Sequence, residues 1–265
     1  MKRETLIREL GLGPVWRLRE RAVDAAPPPA PLPELPLAAE ATETGVPPRL
    51  TFEETARADA GDRQAAIARM DWDELKSAVA GCRACGLCQA RKQAVLGVGD
   101  QEADWLFIGE GPGAEEDERG EPFVGQAGKL LDAMLAAIDL KRGPGQGDGE
   151  GEGGGVYIAN AVKCRPPNNR TPEPEETAAC LPYLERQIGL IRPKLIVALG
   201  RPAAATLLGT EVKIGAARGK LFEYRGIPLV VTYHPAYLLR NLMDKALSWE
   251  DLLFMRRTMR GLKGG

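Results

Sequence analysis

Five cysteines are the residues of this chain best suited to metal or redox chemistry, because intracellular cysteines rarely form disulfides. Four of them have the spacings Cys82-x₂-Cys85 and Cys164-x₁₅-Cys180, and the fifth, Cys88, follows the first pair. Four thiolates suit a structural zinc ion or a 4Fe–4S cluster equally well. A redox dithiol, or buried cysteines without a shared role, also fits the spacing. Cys88 is either an alternative ligand or a buried thiol.

A second group of polar residues comes at the ends of apolar runs that are typical of buried strands. Glu110, Asn160 and His234 each end or directly follow such a run. His234 is the only histidine in the chain, which excludes Cys₂His₂ zinc sites and multi-histidine metal sites. The stretch GEGPG at 109–113 lacks both a Lys-Ser/Thr pair and a correctly spaced third glycine, so it predicts neither a Walker loop nor a dinucleotide fingerprint.

Strand and helix patterns alternate from Asp71 onward. The predicted strands lie at 105–109, 156–160, 194–200 and 227–233. The predicted helices lie at 71–81, 127–140, 172–191, 201–209 and 248–262. This alternation predicts a three-layer α/β/α domain, a parallel sheet with helices on both faces. Ligands bind such sheets beyond the carboxyl ends of the strands, so we expect Glu110, Asn160 and His234 to meet at one pocket.

Composition divides the chain into two parts. Residues 26–48 hold eight of the 21 prolines and predict an extended linker. We therefore assign residues 1–70 to an Ala- and Pro-rich, largely disordered extension and residues 71–265 to a folded domain. Within that domain, residues 143–155 contain eight glycines in thirteen positions and predict a flexible surface insert.

Overall charge and hydrophobicity are ordinary for a water-soluble protein: net charge is −2, with 44% hydrophobic and 27% charged residues. The charge is unevenly placed, with 7 basic and 14 acidic side chains in residues 81–155 but 17 and 9 in residues 156–265. A basic C-terminal half suits a nucleic acid, although a mixed solvated surface has the same composition. No run approaches 18 apolar residues, and no signal-peptide pattern opens the sequence. We therefore expect a cytoplasmic protein without a membrane span.

Several longer motifs occur between about Asp71 and Leu262. They are CRAC at 82–85, GEGPGAEED at 109–117, EPFVGQAG at 121–128, YIANAVKCRPPNNRTP at 157–172, IVALG at 196–200 and HPAYLLRN at 234–241. In this order they resemble the family 4 iron–sulfur uracil-DNA glycosylases. The resemblance skips the glycine-rich insert and leaves the N-terminal extension outside. It implies a central four-stranded parallel sheet, a 4Fe–4S cluster and the removal of uracil from DNA.

The resemblance also implies a ligand set and a base pocket. The implied cluster ligands are Cys82, Cys85, Cys164 and Cys180, which leaves Cys88 outside the set. Phe123 would stack on a flipped base, and Glu116 would crowd C5 and exclude the methyl group of thymine. Asn160 would read the Watson–Crick edge, because a carboxamide accepts from N3–H and donates to O4 of uracil.

The chemistry implied by the resemblance centres on three residues. His234 would donate a hydrogen bond to uracil O2 as negative charge develops there. Glu110 and Gly111 would line the base and the attacking water. Gly111 stands where better-known uracil glycosylases carry the aspartate that activates water, and Glu110 would position water instead.

Contacts to DNA are expected from loop cations and an apolar wedge. Leu238 or Leu239 would fill the gap left by the flipped base. The expected phosphate-binding side chains are Arg165, Arg170, Arg218, Lys220 and Arg240.

These inferences together predict a monomeric, monofunctional uracil-DNA glycosylase acting on single- or double-stranded DNA at the nucleoid, with an extension free to bind a protein partner. A non-catalytic iron–sulfur DNA-binding module is the alternative from another class, and a glycosylase with broader deaminated-base specificity is a third. A branch that traps its abasic product through a histidine in an inserted basic loop ranks last, because His234 lies in the usual motif.

Overall fold

A seven-stranded, mostly parallel sheet runs through the part of the chain that this computed structural model describes, residues 61–143 and 155–264. Its strands are β1 (Val98–Gly99), β2 (Trp105–Gly109), β3 (Lys141–Arg142), β4 (Gly155–Asn160), β5 (Leu195–Leu199), β6 (Leu221–Tyr224) and β7 (Ile227–Thr232). The spatial order is β1-β4-β2-β5-β7-β6, and β3 also pairs with β4. The predictions for residues 1–60 and for the interior of the glycine-rich insert fall outside the described ranges.

The centre of the sheet is the four-stranded parallel arrangement β4-β2-β5-β7, as the resemblance implied. β2 and β5 are buried along their whole length, because helices cover both faces of the sheet. The register sets Gly109 beside Asn160 and Leu199 beside Thr232, so the carboxyl ends of the four strands form one edge. β1 and β6 pair antiparallel with their neighbours and were not predicted.

Each of the five predicted helices is present, and short helices that were not predicted accompany them in the described part of the chain. They are α1 (Trp72–Gly81), α2 (Ala114–Arg119), α3 (Gln126–Ala136), α4 (Pro174–Ile191), α5 (Arg201–Leu208), α6 (Ile214–Ala217), α7 (Pro235–Arg240) and α8 (Lys245–Lys263). Asp71 begins α1 with a capping box, in which Asp71 and Glu74 each accept the other's backbone N–H at 2.9 Å. No helix in residues 61–143 or 155–264 is long and apolar enough to cross a membrane.

Two apolar layers enclose the sheet and confirm the three-layer α/β/α prediction. On one face, α3, α7 and α8 pack side chains such as Leu135, Leu238 and Met255 against the strands. On the other face, α4 and α5 contribute side chains such as Leu184 and Ala204.

A third apolar cluster joins the cysteine-bearing segments. Leu75 and Val79 of α1 pack with Cys164 and Cys180. Ile67 belongs to the same cluster, and residues 61–67 are helical. The division of the chain at 70/71 remains a prediction, but the residues just before it pack against the predicted domain.

Candidate active site and cysteine centre

All four central strands end at one cleft of about 870 Å³, a volume typical of small-molecule sites. Glu110 follows β2, Asn160 ends β4, and His234 comes two residues after β7, and all three line this cleft. The expected meeting of these three residues is thereby confirmed. The end of β5 contributes Gly200 and Arg201 as well, so the cleft uses one more strand end than expected.

Asn160 presents an unpaired oxygen in this cleft. The side chain is only 2% exposed, and its Oδ1 is the one buried side-chain polar atom of the described residues without a hydrogen-bond partner. Gly109 makes room for it: a Cβ at this position would lie 2.4 Å from Asn160 Oδ1 and 2.7 Å from Phe123 Cζ. Buried polar atoms are normally paired, so this oxygen is available to a ligand donor.

Phe123 is held in a left-handed backbone conformation, with φ of 55°. Such a conformation costs about 1–3 kcal/mol in a non-glycine residue and needs support from its surroundings. Glu116 supplies part of that support, because Oε1 accepts the backbone N–H groups of Val124 at 3.0 Å and Gly125 at 3.2 Å. Arg142 donates to the Phe123 carbonyl at 2.8 Å. Glu116 therefore lines the cleft where expected and also fixes the loop that carries Phe123.

His234 begins α7 and faces Phe123. The two rings are stacked with centroids 5.3 Å apart. Nδ1 of His234 accepts the backbone N–H of Ala236 at 3.1 Å, so a neutral ring carries its proton on Nε2. Burial, together with the positive charge of Arg240, lowers the pKa of His234 to about 4, although the charge of Glu116 acts in the opposite direction. The imidazole is thus a neutral hydrogen-bond donor at physiological pH.

Glu110 and Gly111 form the wall after β2. Burial raises the pKa of Glu110, and a hydrogen bond with Thr171 and the charge of Arg201 oppose this effect. A Cβ at Gly111 would lie 2.8 Å from Cγ2 of Val162. Any larger residue at 111, including an aspartate, therefore requires Val162 to move.

Three arginines line the cleft, and the sequence predicted two of them. Arg170 and Arg240 were expected, whereas Arg201 was missed although it comes only two residues after β5. Arg170 is held by Glu176 through two hydrogen bonds of 2.8 Å and 2.6 Å. This bidentate pair fixes the guanidinium at the rim.

Three other expected DNA-binding cations lie outside the cleft wall. Arg218 pairs with buried Asp251 at 3.0 Å and lies over the ring of Tyr233 at 5.6 Å. Its guanidinium is therefore used inside the protein, which corrects the expectation of a free phosphate contact. Lys220 is exposed, and Nε of Arg165 donates to Asn169 at 2.8 Å.

The two candidate wedge residues lie in different surroundings. Leu238 is 1% exposed and belongs to the core, because its position on α7 faces the sheet. It is not available at the surface, and the expectation is corrected. Leu239 is 40% exposed, so it is accessible for the predicted role of an apolar wedge in the DNA.

The five cysteines line one small pocket between α1, α4 and the segment after β4. Three of the sulfurs receive N–H donors: Arg91 donates to Cys164 at 2.8 Å, Arg63 to Cys82 at 3.9 Å, and the backbone of Lys163 to Cys180 at 3.2 Å. Within residues 61–143 and 155–264, no three Cys, His, Asp or Glu side chains are grouped as a single ion requires.

The chemistry of this pocket fits a thiolate-ligated centre. Burial raises the pKa of Cys180 to about 12, so an anionic sulfur there needs a bound metal or a cation. N–H donors to cysteine sulfur are a common feature of iron–sulfur sites. Cys88 lines the same pocket, so the lining alone does not separate it from the other four.

Comparison with known proteins gives consistent matches. Residues 96–253 match the family model described as the uracil DNA glycosylase superfamily. The type-4 uracil-DNA glycosylase of Pyrobaculum aerophilum is 44% identical over 180 residues, covering 65% of this chain and 86% of that protein. The type-4 enzyme of Thermotoga maritima is 46% identical over 162 residues, covering 60% and 79%. A type-5 uracil-DNA glycosylase of Thermus thermophilus is 41% identical over 118 residues, covering 43% and 53%.

Proposed function

Because the chain belongs to the uracil-DNA glycosylase superfamily, we propose that its cleft removes uracil from DNA by hydrolysing the N-glycosidic bond, the first step of base-excision repair. The relatives named type-4 uracil-DNA glycosylase support this activity. The observation that carries the proposal is the unpaired Oδ1 of Asn160, set against the ring of Phe123 in the cleft.

Base recognition follows from the donor and acceptor pattern of uracil. A base flipped out of the duplex stacks on Phe123, and Asn160 Oδ1 accepts from N3–H while its amide donates to O4. Cytosine presents an acceptor at N3 and a donor at C4, so it leaves the same carboxamide mismatched. Glu116 limits the space beside C5 and thereby disfavours thymine.

Bond cleavage places negative charge on uracil O2 while the sugar becomes cationic. Neutral His234 donates its Nε2–H to that oxygen and needs no change of protonation state to do so. A fixed donor of this kind contributes on the order of 10²–10³ in rate. The DNA phosphates favour the cationic sugar, and water positioned by Glu110 adds to it last, passing its proton to the departing uracil anion. Because the uracil anion is a stabilised leaving group, the reaction does not need a strong base at position 111, where this chain has glycine.

The cysteine pocket is proposed to hold a 4Fe–4S cluster through Cys82, Cys85, Cys164 and Cys180. When bound, the cluster supplies a structural cross-link between the segment before β1 and α4. The hydrogen bonds from Arg91 and from the backbone of Lys163 orient two of these sulfurs. Cys88 stays outside the ligand set in this proposal.

The remaining proposals concern location and partners. The protein acts on DNA as a monomer, in the cytoplasm at the nucleoid, and the N-terminal extension of residues 1–70 binds a protein partner. Arg201 and Arg240, which line the cleft, and the exposed Leu239 are the side chains best placed to hold the DNA.

A gel assay with a single-uracil oligonucleotide tests this function. The protein is incubated with single-stranded, U·A and U·G substrates, and abasic sites are revealed by alkali. Parallel lanes carry cytosine, thymine mismatched with guanine, and hypoxanthine. Cleavage only after uracil is expected. Binding of DNA without cleavage in any lane would identify a non-catalytic DNA-binding module, and cleavage after hypoxanthine would identify a broader specificity.

A further inference from the structure

Lys163 is a charged side chain in the interior that the reaction described above does not use. It is 1% exposed and lies three residues after Asn160, in the segment that leads from β4 to the cysteine pocket. Burying an ammonium group is costly unless hydrogen bonds and opposite charge compensate it. A lysine in this position therefore needs a specific reason, and its contacts give one.

Lys163 is fastened to α4 at two points. Its backbone N–H donates to the sulfur of Cys180 at 3.2 Å, and its Nζ donates to Oε1 of Gln187. Cys180 and Gln187 lie seven positions apart, two turns along the buried face of the same helix. Gln187 is held in turn, because its amide donates to the carbonyl of Leu96 at 3.0 Å and to Tyr157 Oη at 3.2 Å.

The same ammonium reaches back to the base-reading residue. Nζ of Lys163 donates to the backbone carbonyl of Asn160 at 2.8 Å. The carbonyl of Lys163 accepts the N–H of Val95 at 2.8 Å, so the lysine backbone cannot shift freely. The peptide unit after Asn160 is thereby fixed relative to α4, and the direction of the Asn160 side chain depends on that peptide unit.

We propose that Lys163 is a positioning residue that couples the cysteine centre to the uracil-reading side chain of Asn160. The proposal rests on the proposed function, since it assigns Lys163 a role in the recognition of uracil by Asn160. It requires no contact between Lys163 and the substrate. A disturbance at Cys180 or Gln187 moves Lys163 and, through it, the carboxamide that pairs with uracil.

Charge supports the same arrangement. The hydrogen-bond partners of Lys163 Nζ are neutral oxygens, and the nearby groups that can be anionic are the sulfurs of Cys164 and Cys180. Thiolates bound to a cluster would carry the negative charge that compensates the ammonium, and the ammonium would in turn act on the cluster electrostatically. Net charge around an iron–sulfur cluster is one of the determinants of its reduction potential.

A double-mutant cycle tests the coupling. Lys163→Met keeps the length of the side chain and removes its donors, and Asn160→Ala removes the reading group. We expect Lys163→Met alone to lower single-turnover uracil excision by about tenfold to a hundredfold, the effect of leaving one or two buried acceptors unpaired. In the Asn160→Ala background, the same change should lower the rate by less than about twofold. Multiplicative losses would overturn the coupling to Asn160.

A second readout does not depend on activity. The reduction potential and iron content of the purified holoprotein are measured for wild type, Lys163→Met and the exposed control Lys76→Met. The potential should become more negative only in Lys163→Met, because a cation beside two ligand sulfurs is lost. An unchanged potential would overturn the link to the cysteine centre.

Two arrangements keep the test decisive. If Lys163→Met is insoluble, Lys163→Gln, which is neutral but keeps a side-chain NH₂ donor group, is used in the same cycle and the same potential measurement. A wild type that excises no uracil refutes the proposed function and the coupling to base reading together. Excision by wild type that is slower but still measurable in Asn160→Ala supports the function, and the Lys163 variants then decide the inference alone.

Discussion

The backbone N–H of Ala236 donates to Nδ1 of His234 at 3.1 Å, and this one contact fixes which nitrogen of the imidazole carries the proton. The donor exists because α7 starts at Pro235, where the first N–H groups of a helix lack partners within it. The local sequence His-Pro-Ala therefore sets the chemical form of the ring. Burial and the positive charge of Arg240 keep that ring neutral.

Replacement of His234 by alanine should separate catalysis from binding. We expect single-turnover uracil excision to fall by about 10²-fold or more, because a donor to the developing charge on O2 is lost. Affinity for uracil-containing DNA should change little, since His234 makes no expected phosphate contact. Rapid-quench kinetics and a filter-binding titration measure the two effects. Unchanged excision would remove His234 from the reaction.

The low pKa of His234 predicts a pH dependence of stability. The pKa is about 4 in the folded protein and 6.5 for a free histidine, so the unfolded chain binds more protons between these values. The free energy of unfolding should therefore fall as the pH drops from about 6.5 towards 4. His234→Asn should remove this contribution, which urea titrations at several pH values will show as a smaller slope. Because no other histidine exists, equal slopes would contradict the low pKa.

Gly109→Ala should damage recognition of the base. The new Cβ would lie 2.4 Å from Asn160 Oδ1 and 2.7 Å from Phe123 Cζ, so both side chains must move. Excision should fall by at least about tenfold, as expected when a buried hydrogen bond to the base is lost. Gly189→Ala is the matched control, because it lies in α4 with nothing within 4 Å of its Cβ. Equal activity of the two variants would show that the contact at Gly109 is not needed.

Asn160→Asp should change which base is accepted. An ionised carboxylate still accepts from N3–H of uracil but opposes O4 with a lone pair, so uracil excision should fall by between tenfold and ten-thousandfold, roughly the effect of one or two unpaired polar groups. Burial favours the protonated acid, which can pair with N3 and the amino group of cytosine. Weak cytosine excision is therefore expected in the oligonucleotide assay. Asn241→Asp, an exposed change, should leave uracil excision unaltered.

Metal analysis of cysteine variants should separate ligands from the fifth thiol. Cys180→Ala and Cys164→Ala should lose iron and solubility, because both sulfurs lie in the interior of the pocket. Cys88→Ala should retain the full iron content and visible absorption of wild type. Loss of half the iron in Cys88→Ala would show that the ligand set is wrong. Zinc in place of iron in every preparation would reject the cluster itself.

The central fold could be predicted because its strands are short apolar runs with polar ends. Residues 105–109 were predicted as a strand with the boundaries that β2 has. The edge strands could not be predicted in the same way. β1 has two residues and β6 alternates exposed and half-buried positions, so their pairing depends on neighbours distant in sequence.

The site residues that lie at strand ends were predicted correctly to meet. The prediction was less successful for side chains whose exposure depends on contacts with residues distant in sequence. Glu110, Asn160 and His234 met as expected, because strand ends on one edge of a parallel sheet must meet. Arg218 was predicted to be a free loop cation, but it forms an ion pair with Asp251, which is distant in sequence. Leu238 and Leu239 are identical neighbouring residues in the sequence, and only the packing of α7 against the sheet buries one and exposes the other.

The pairing of β3 with β4 has a practical consequence for labelling this protein. Gly143 bridges to Val156, so the two ends of the glycine-rich stretch are adjacent in space. They lie at the start of β4, roughly 17 Å from Asn160 at the usual rise of a strand, and at the opposite edge of the sheet from the cleft. A fluorescent or affinity module whose own termini are close together can replace residues 144–154. Such a fusion leaves the mouth of the cleft open, so single molecules can be followed while they scan DNA.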